Sequence, residues 1–173
     1  MDIAEKVKSE LEPFCNKIEI AGSIRREKPL VKDIEIVCIP KRDIQSVLFK
    51  DDLNLISSVS QGFQKVVHQW EKVRGDSDGK YTQRVLPQGI KLDLFMAHEE
   101  NWGLILAVRT GSAEFSRKGL GRTWCKLGYK SIDGMLHLRG KAIPIREEEY
   151  LFNLLGLPFI DPKFRTEDYF DFN

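Results

Sequence analysis

The sequence predicts an α+β fold in which a mixed β-sheet carries flanking helices. Short apolar segments with alternating side chains recur along the chain, and this pattern is typical of half-buried strands. Segments with apolar residues at helical spacing lie between them. A chain of 173 residues is long enough for one or two small domains with cores of their own.

The first part of the chain is predicted to begin with an amphipathic helix over residues 3–14, followed by a strand at 18–20. A Gly-Ser turn and a single helical turn come next, and residues 34–39 are predicted to form a buried strand that ends at a proline. Residues 43–50 are predicted to be helical. Further strands are predicted over residues 63–73, 81–86 and 90–96.

The second part of the chain is predicted to contain two helices and a hairpin. The first helix covers 99–108 and ends at a Thr-Gly pair, and the second covers 112–127. Ser112 is a good N-cap for the second helix, and Gly128 is a residue type that ends helices. An Asp-Gly pair between apolar segments predicts the hairpin, over 129–138.

The first group of candidate functional residues follows the first strand, at Gly22-Ser23-Ile24-Arg25-Arg26. A Gly-Ser turn lets backbone N–H groups approach an anion, and arginine adds a planar charged group that fits phosphate. Asp33 and Glu35 then share one face of the next strand. Two such carboxylates repel each other unless a hard cation such as Mg²⁺ lies between them. The alternative is an ordinary turn followed by solvated acidic residues, because short motifs often match by chance.

A third carboxylate, Asp93, stands alone on the polar face of the predicted strand that includes Lys91-Leu92-Asp93-Leu94-Phe95. If this strand lies beside the one with Asp33 and Glu35, three carboxylates converge. Two metal ions could then bind the attacking and leaving oxygens of an in-line displacement, with Asp93 placed to take a proton from the attacking hydroxyl. The combination predicts phosphoryl or nucleotidyl transfer.

In their order along the chain these motifs resemble the nucleotidyltransferase superfamily, and more narrowly the X-family DNA polymerases. The motifs are G-S-x-R-R, D-x-E, the strand with D-L, and Arg109-Thr110-Gly111-Ser112. The likeness covers about residues 17–165, and the segment 146–162 is similar to the end of the thumb in bacterial members. It implies a catalytic palm over 1–108 and a small α/β thumb over 109–173. The chain begins almost at the palm, as in the minimal palm-plus-thumb polymerases of some viruses.

The resemblance implies roles for individual residues. The catalytic and metal-binding carboxylates, which would hold two Mg²⁺ ions with Mn²⁺ as the alternative, are Asp33, Glu35 and Asp93. The implied nucleotide-binding residues are Gly22, Ser23, Arg26, Thr110, Gly111 and Ser112. The candidates for DNA contacts in the thumb are Arg117, Lys118 and Arg122.

Three positions differ from the family pattern. Glu35 stands where the polymerases usually have aspartate, which lengthens the reach to a metal by one methylene. Lys32 replaces a glycine and either contacts the triphosphate or obstructs it; we assign it to nucleotide binding. Val108 and Arg109 replace an aromatic pair that screens the sugar, so the selection against ribonucleotides is open. We assign Arg109 to the DNA contacts, with a phosphate as its target.

The charge distribution supports a nucleic-acid partner. The net charge is +1, yet the stretch from Arg109 to Arg146 holds nine basic residues opposed by Glu114 and Asp133 alone. A basic block in a near-neutral protein is expected where a phosphate backbone binds. The alternative is a solvated lysine-rich helix face.

Composition narrows the remaining possibilities. The three cysteines show no disulfide or zinc spacing, which predicts a reducing cytoplasm, of a cell or of a virus-infected host. No apolar run is long enough to span a bilayer, so we expect no membrane partner. The expected protein is a monomer.

The leading interpretation is a DNA-directed DNA polymerase that adds deoxynucleotides from dNTPs to the primer of primer–template or gapped DNA, in repair or gap filling. The runner-up is a non-templated nucleotidyltransferase that acts on RNA ends, a protein or a small molecule. A third possibility is a nucleic-acid-binding accessory protein without catalysis.

Overall fold

A computed structural model describes residues 2–49 and 52–170 and shows a mixed five-stranded sheet with helices packed on it. The strand order in this sheet is β1-β2-β7-β6-β5, and a three-stranded and a two-stranded sheet complete the strands described. The predicted α+β class, with a mixed sheet and flanking helices, is confirmed. No helix in the described part of the chain has the length and apolar character needed to cross a membrane.

The strands are β1 (Cys15–Ile20), β2 (Asp33–Pro40), β3 (Arg42–Phe49), β4 (Asp52–Val59), β5 (Glu71–Gly75), β6 (Tyr81–Val85), β7 (Lys91–Met96), β8 (Lys130–Ile132), β9 (Met135–Leu138) and β10 (Lys141–Ile143). The helices are α1 (Ile3–Leu11), α2 (Gly22–Arg25), α3 (Gln61–Val67), α4 (Trp102–Thr110), α5 (Arg122–Lys126) and α6 (Glu148–Leu154). A π-helical segment, Phe115–Gly121, leads directly into α5. Short 3₁₀ turns cover Glu12–Phe14 and Pro162–Phe164.

The two faces of β2 are covered by different helices. Ile34, Ile36 and Cys38 point to one face and belong to the core that α1 and α3 share with the sheet. Val37 and Ile39 point to the opposite face, where residues of α4 cover them. Because both faces are buried, this strand is a continuous apolar run interrupted only by the acidic residues at its start, as expected for a central strand.

Helix α4 connects the large sheet to a second core. Trp102 and Leu106 pack against the sheet, whereas Leu104 and Ala107 belong to a separate cluster built from the π-helical segment, β9 and α6. One helix therefore fixes the position of the carboxyl-terminal elements relative to the sheet. The predicted division at residue 108 falls inside α4 and stays a prediction, and residues 171–173 of the predicted thumb lie outside those described.

Two of the predicted elements are wrong. Residues 43–50 were expected to be helical, but Arg42–Phe49 pairs with Asp52–Val59 as an antiparallel arm, and Lys50 lies outside the described residues. Residues 63–73 were expected to form one strand, but they contain the end of α3 and the start of β5. The Ser60 hydroxyl accepts a hydrogen bond from the Phe63 N–H, an N-cap that starts a helix here.

The other predicted elements are present with shifted ends. The Ser112 hydroxyl caps the next helix by accepting from the Phe115 N–H at 3.1 Å, and Gly128 ends it with φ of +87°. The predicted hairpin is formed by β8 and β9. Strand β10, which pairs with β9, was not predicted.

A buried ionic network joins the amino-terminal sheet to the carboxyl-terminal segment. Arg25 in α2 donates two hydrogen bonds to the Glu148 carboxylate, at 2.8 and 2.7 Å. Glu148 also accepts from Arg165, whose side chain is fully buried and whose Nε donates to the Ile160 carbonyl. Arg25 further donates to the Thr110 hydroxyl at 2.7 Å. These contacts hold α2, α4, α6 and the tail in one arrangement.

Candidate active site

The parallel pairing of β2 and β7 brings the predicted acidic residues together. Glu35 and Asp93 are direct partners in the ladder, and Asp33 pairs with Lys91 one step earlier on the same face. Residues opposite each other in neighbouring strands point to the same side of a sheet. The conditional prediction that these two strands are neighbours is therefore confirmed.

Glu35 is the carboxyl group most affected by this arrangement. Burial, followed by the charges of Asp33 and Asp93, raises its pKa to about 7, while Arg26 and Arg109 act in the opposite direction. A raised carboxyl pKa means that the ionised form is disfavoured in the folded protein. The three carboxylates are thus coupled electrostatically where β2 and β7 run side by side.

Hydrogen bonds from β6 hold the Asp93 carboxylate. Its Oδ1 accepts a hydrogen bond from the Tyr81 hydroxyl and one from the Gln83 amide at 2.9 Å. Gln83 is the antiparallel ladder partner of Asp93, so the register of β6 on β7 places this contact. Tyr81 and Gln83 were not among the predicted site residues, because nothing in the sequence tells which side chains face Asp93.

Within residues 2–49 and 52–170, no three His, Cys, Asp or Glu side chains are already grouped as ligands of one metal ion. The donor chemistry nevertheless fits Mg²⁺, because Asp33, Glu35 and Asp93 all offer carboxylate oxygens from adjacent strands. Burial is the first cause of the raised pKa of Glu35, and the charges of Asp33 and Asp93 are the second; a divalent cation would balance those charges. The chemistry of these carboxylates therefore suits a hard cation beside β2 and β7.

The Gly-Ser turn lies directly against Glu35. Gly22 has φ of +60°, and a Cβ added there would collide with the Glu35 carboxylate. Arg26 follows α2 and donates to the Thr110 carbonyl at 2.7 Å, while its Nε is buried with no hydrogen-bond partner in the described structure. A buried unpaired donor of this kind is suited to an anionic ligand.

A cavity of about 400 Å³ opens between this turn and the helix that follows Gly111. Arginines from both sides line it, together with Glu35 and the Gly-Ser pair at the start of that helix. The predicted site residues on its wall are Arg26, Glu35, Arg109, Gly111, Ser112 and Arg117. An acidic edge beside several guanidinium groups is an arrangement suited to a phosphorylated ligand with a bound cation.

Arg109 occupies a different place from that expected of a peripheral DNA contact. Its guanidinium lies 4.0 Å from the centre of the Phe95 ring and faces Glu35 and Asp93. Phe95 stacks on Tyr81 at 5.1 Å between ring centres, and the Arg74 guanidinium lies 5.3 Å from the centre of the Tyr81 ring. These contacts of two arginines with two stacked rings fix Arg109 beside the carboxylates.

The remaining predicted residues are not on the wall of this cavity. Asp93 lines a neighbouring cavity together with Tyr81 and Arg109. Lys32 is exposed just before β2, and Ser23 lies in α2. Thr110 is fully buried, with its hydroxyl engaged by Arg25. Lys118 is exposed and forms an ion pair with Glu114 at 2.5 Å. Arg122 is exposed at the start of α5. The assigned roles of all of them stay predictions.

Comparison of the chain with protein-family models and with curated proteins gives no match. The polymerase assignment consequently depends on the motifs in the sequence and on the geometry of this site.

If the site transfers nucleotides as the sequence predicts, Gly22→Ala is expected to reduce nucleotide incorporation about a hundredfold. The added Cβ would lie 1.9 Å from Oε2 of Glu35, so the carboxylate must move away from its position. The strained backbone should also cost about 1–2 kcal/mol of stability. Gly140→Ala is the matched control, since Gly140 has φ of +78° with nothing within 4 Å of the added Cβ. Equal activity losses in the two variants would contradict the assigned role of the turn.

Glu35→Gln is expected to raise the melting temperature of the metal-free protein by a few degrees at about pH 8. The variant lacks a carboxylate whose ionisation is disfavoured by burial and by its neighbours. Because the folded-state pKa of Glu35 is raised to about 7, this penalty sets in as the pH rises from 4.5 through that value, and the gain should vanish at low pH. Thermal unfolding at both pH values measures it.

Millimolar Mg²⁺ should stabilise the wild-type protein in the same experiment and should have less effect on Glu35→Gln, because a ligand is missing. Glu71→Gln, at an exposed position of β5, controls for the loss of one charge. If Mg²⁺ stabilised both variants and the wild type equally, Glu35 would not be a ligand of the metal.

Proposed function

We propose that this protein is a nucleotidyltransferase, and more narrowly a DNA-directed DNA polymerase that extends a primer 3′-hydroxyl with release of pyrophosphate. The observation that carries the proposal is the parallel pairing of β2 with β7. It sets Glu35, on the wall of the arginine-lined cavity, beside Asp93, which lines a neighbouring cavity that shares Arg109. Nucleotidyl transfer needs both features, since a triphosphate must be held while charge develops on its oxygens.

The chain's own residues divide the work as follows. Arg26 lines the cavity and binds the triphosphate oxygens. The primer hydroxyl oxygen forms a bond to the α-phosphorus while the bond from this phosphorus to the bridging oxygen of the β-phosphate breaks. Pyrophosphate leaves, and Asp93 accepts the proton of the hydroxyl. Tyr81 and Gln83 orient Asp93 for that step.

Two Mg²⁺ ions, or Mn²⁺ in their place, held by Asp33, Glu35 and Asp93 would supply Lewis-acid stabilisation of the phosphate charge. Arg109 complements them, because its position over Phe95 places a positive charge beside the same carboxylates.

The basic block from Arg109 to Arg146 supports DNA as the partner. Arg117, Lys118 and Arg122 lie on the helix that borders the cavity, where the backbone of a primer–template or gapped duplex would pass. Repair or gap filling is the biological role that goes with this proposal. A reducing cytoplasm and a monomeric state are part of the same proposal.

One observation favours the runner-up, a non-templated nucleotidyltransferase. Arg109 stands where the polymerases carry an aromatic residue that screens the sugar, and it lines the cavity. A guanidinium offers hydrogen-bond donors to a 2′-hydroxyl rather than an apolar barrier against it. Ribonucleotides, and acceptors other than a primer end, are therefore the alternatives to test.

Incubation with Mg²⁺, each nucleotide class in turn, and primed, gapped or single-stranded DNA or RNA tests the proposal. Extension of the DNA primer with the base that the template specifies is the expected result. Untemplated addition, or addition to RNA alone, would establish the runner-up instead. Binding that weakens with salt, without incorporation under any condition, would mean an accessory protein without catalysis.

A further inference from the structure

A second cavity, of about 470 Å³, lies beside the arginine-lined one and has almost wholly apolar walls. The two cavities share Val108, Ser116 and Arg117, so they adjoin each other along the helix that follows Gly111. Its volume lies within the range of pockets that hold small organic ligands. An occupant of the second cavity would therefore lie next to an occupant of the first.

Among the residues that the structure describes, Trp124 is the one aromatic residue in the lining of this second cavity. Its indole is partly buried and packs on the carboxyl-terminal core, which fixes its orientation. A Cβ added at Gly121 would lie 3.8 Å from Cζ2 of the indole, so the glycine leaves this part of the ring uncovered. Gly121 ends the π-helical segment, and such segments occur frequently at functional sites.

The rim of the cavity is cationic. Arg117 and Arg122 both line it, and both belong to the basic block. Val108 and the exposed Cys125 complete the lining. An apolar slot with an aromatic wall and guanidinium groups at its edge is complementary to a nucleotide, whose base stacks while its phosphate pairs with arginine.

We propose that this cavity holds one unpaired nucleobase of the DNA strand, stacked on Trp124, directly beside the incoming nucleotide. The inference rests on the proposed function and deepens it, because such a base exists only on a strand that continues past the pairing position. A template has that continuation, whereas a small-molecule acceptor does not. Arg117, which lines both cavities, pairs with a backbone phosphate of the DNA strand that carries this base.

Tryptophan fluorescence reports the occupancy of this cavity without any chemistry. Trp70 and Trp102 are only 7% and 6% exposed, so quenching by DNA arises at Trp124. The probe is a primer–template whose overhang continues beyond the pairing position, compared with the same DNA that lacks the base one position further along. The complete DNA is expected to quench the fluorescence and to bind about tenfold more tightly than the abasic DNA.

Two manipulations locate the effect. Trp124→Phe keeps an aromatic surface and should retain the preference for the complete DNA, whereas Trp124→Leu should lose it. Because Trp124 also packs on the core, alkylation of Cys125 provides a second route that leaves the sequence intact. Cys15 and Cys38 are buried, so a maleimide should react at Cys125 and obstruct the cavity, and Cys125→Ser should be indifferent to the reagent.

Equal affinities of the wild-type protein for the complete and the abasic DNA would overturn the proposal, as would an unchanged preference after Cys125 is alkylated. Incorporation assays on the same DNAs separate this failure from that of the proposed function. Templated extension without a preference for the complete DNA would support the polymerase proposal and contradict the stacking site. Fluorescence quenching that depends on the base, without extension, would support the stacking site and contradict the polymerase proposal.

Discussion

Asp93→Asn is expected to lower the rate of nucleotide incorporation by about 10³-fold, within the range that a positioned proton acceptor contributes. In the proposed reaction, the variant loses both a metal ligand and the base that receives the primer proton. The amide oxygen of asparagine can still accept the hydrogen bonds from Tyr81 and Gln83, so the strand register and the fold should persist. Single-turnover extension of a primed template, with melting temperature and DNA affinity measured in parallel, checks all three expectations.

Asp78→Asn is the matched control, because this exposed aspartate lies in the turn between β5 and β6 and changes the charge equally. It should extend primers at the wild-type rate. Incorporation by Asp93→Asn at more than a tenth of the wild-type rate would mean that β7 carries no catalytic group, and the proposed reaction would then need another proton acceptor.

Glu148→Gln is expected to lower the free energy of unfolding by about 3 kcal/mol, because it leaves the buried guanidinium of Arg165 without its counter-charge. For a chain of this size, this loss lowers the melting temperature by roughly 6–12 °C. Glu149→Gln is the control, since Glu149 is the exposed neighbour on the same helix. Chemical denaturation of both variants measures the difference.

The pH dependence of that difference gives an independent check. Burial alone raises the pKa of Glu148, but the hydrogen bonds from Arg25 and Arg165 outweigh it, so the pKa lies below its ordinary value of 4.5. A lowered folded-state pKa stabilises the protein above the unfolded value, and this stabilisation is lost as the pH falls through the folded value. The gap between the wild type and Glu148→Gln should therefore narrow in acid, whereas a gap that widens there would contradict the ionic origin.

The parts of the site that the sequence could predict are those set by local patterns. The alternation of apolar residues located the strands with Asp33, Glu35 and Asp93, and the Gly-Ser turn marked the position of Arg26. The sequence could not tell that β2 and β7 are neighbours, because that pairing depends on packing over both faces of the sheet. The pairing was therefore a condition of the prediction, and only the structure shows that this condition is met.

The wrong elements have identifiable physical causes. Ile44, Val47 and Leu48 have the spacing of a helix face, yet the segment finds a pairing partner in Asp52–Val59, and strand pairing overrides so weak a pattern. The helix that begins after Ser60 was not predicted, because the apolar residues from position 63 onward favour a strand and outweigh the N-cap signal of Ser60.

The ionic network around Glu148 had no sequence signal at all. Arg25 was not a candidate, because the resemblance assigns the phosphate to Arg26. Glu148 was not a candidate either, because it is one of three consecutive glutamates. Only the fold distinguishes the buried member of such a run from its solvated neighbours. The arginine column beside Asp93 is unpredictable for the same reason, since Arg74 and Arg109 come from distant segments.

The side-by-side placement of β2 and β7 also has a consequence for biosynthesis. Strands adjacent along the chain can join as soon as they leave the ribosome, but Asp33 and Glu35 must wait until everything through Met96 has been made. A nascent chain therefore carries β2 for several seconds before its neighbour β7 has been made. Translation pauses placed just after β7 should help this protein to fold, and pauses placed just before β7 should hinder it.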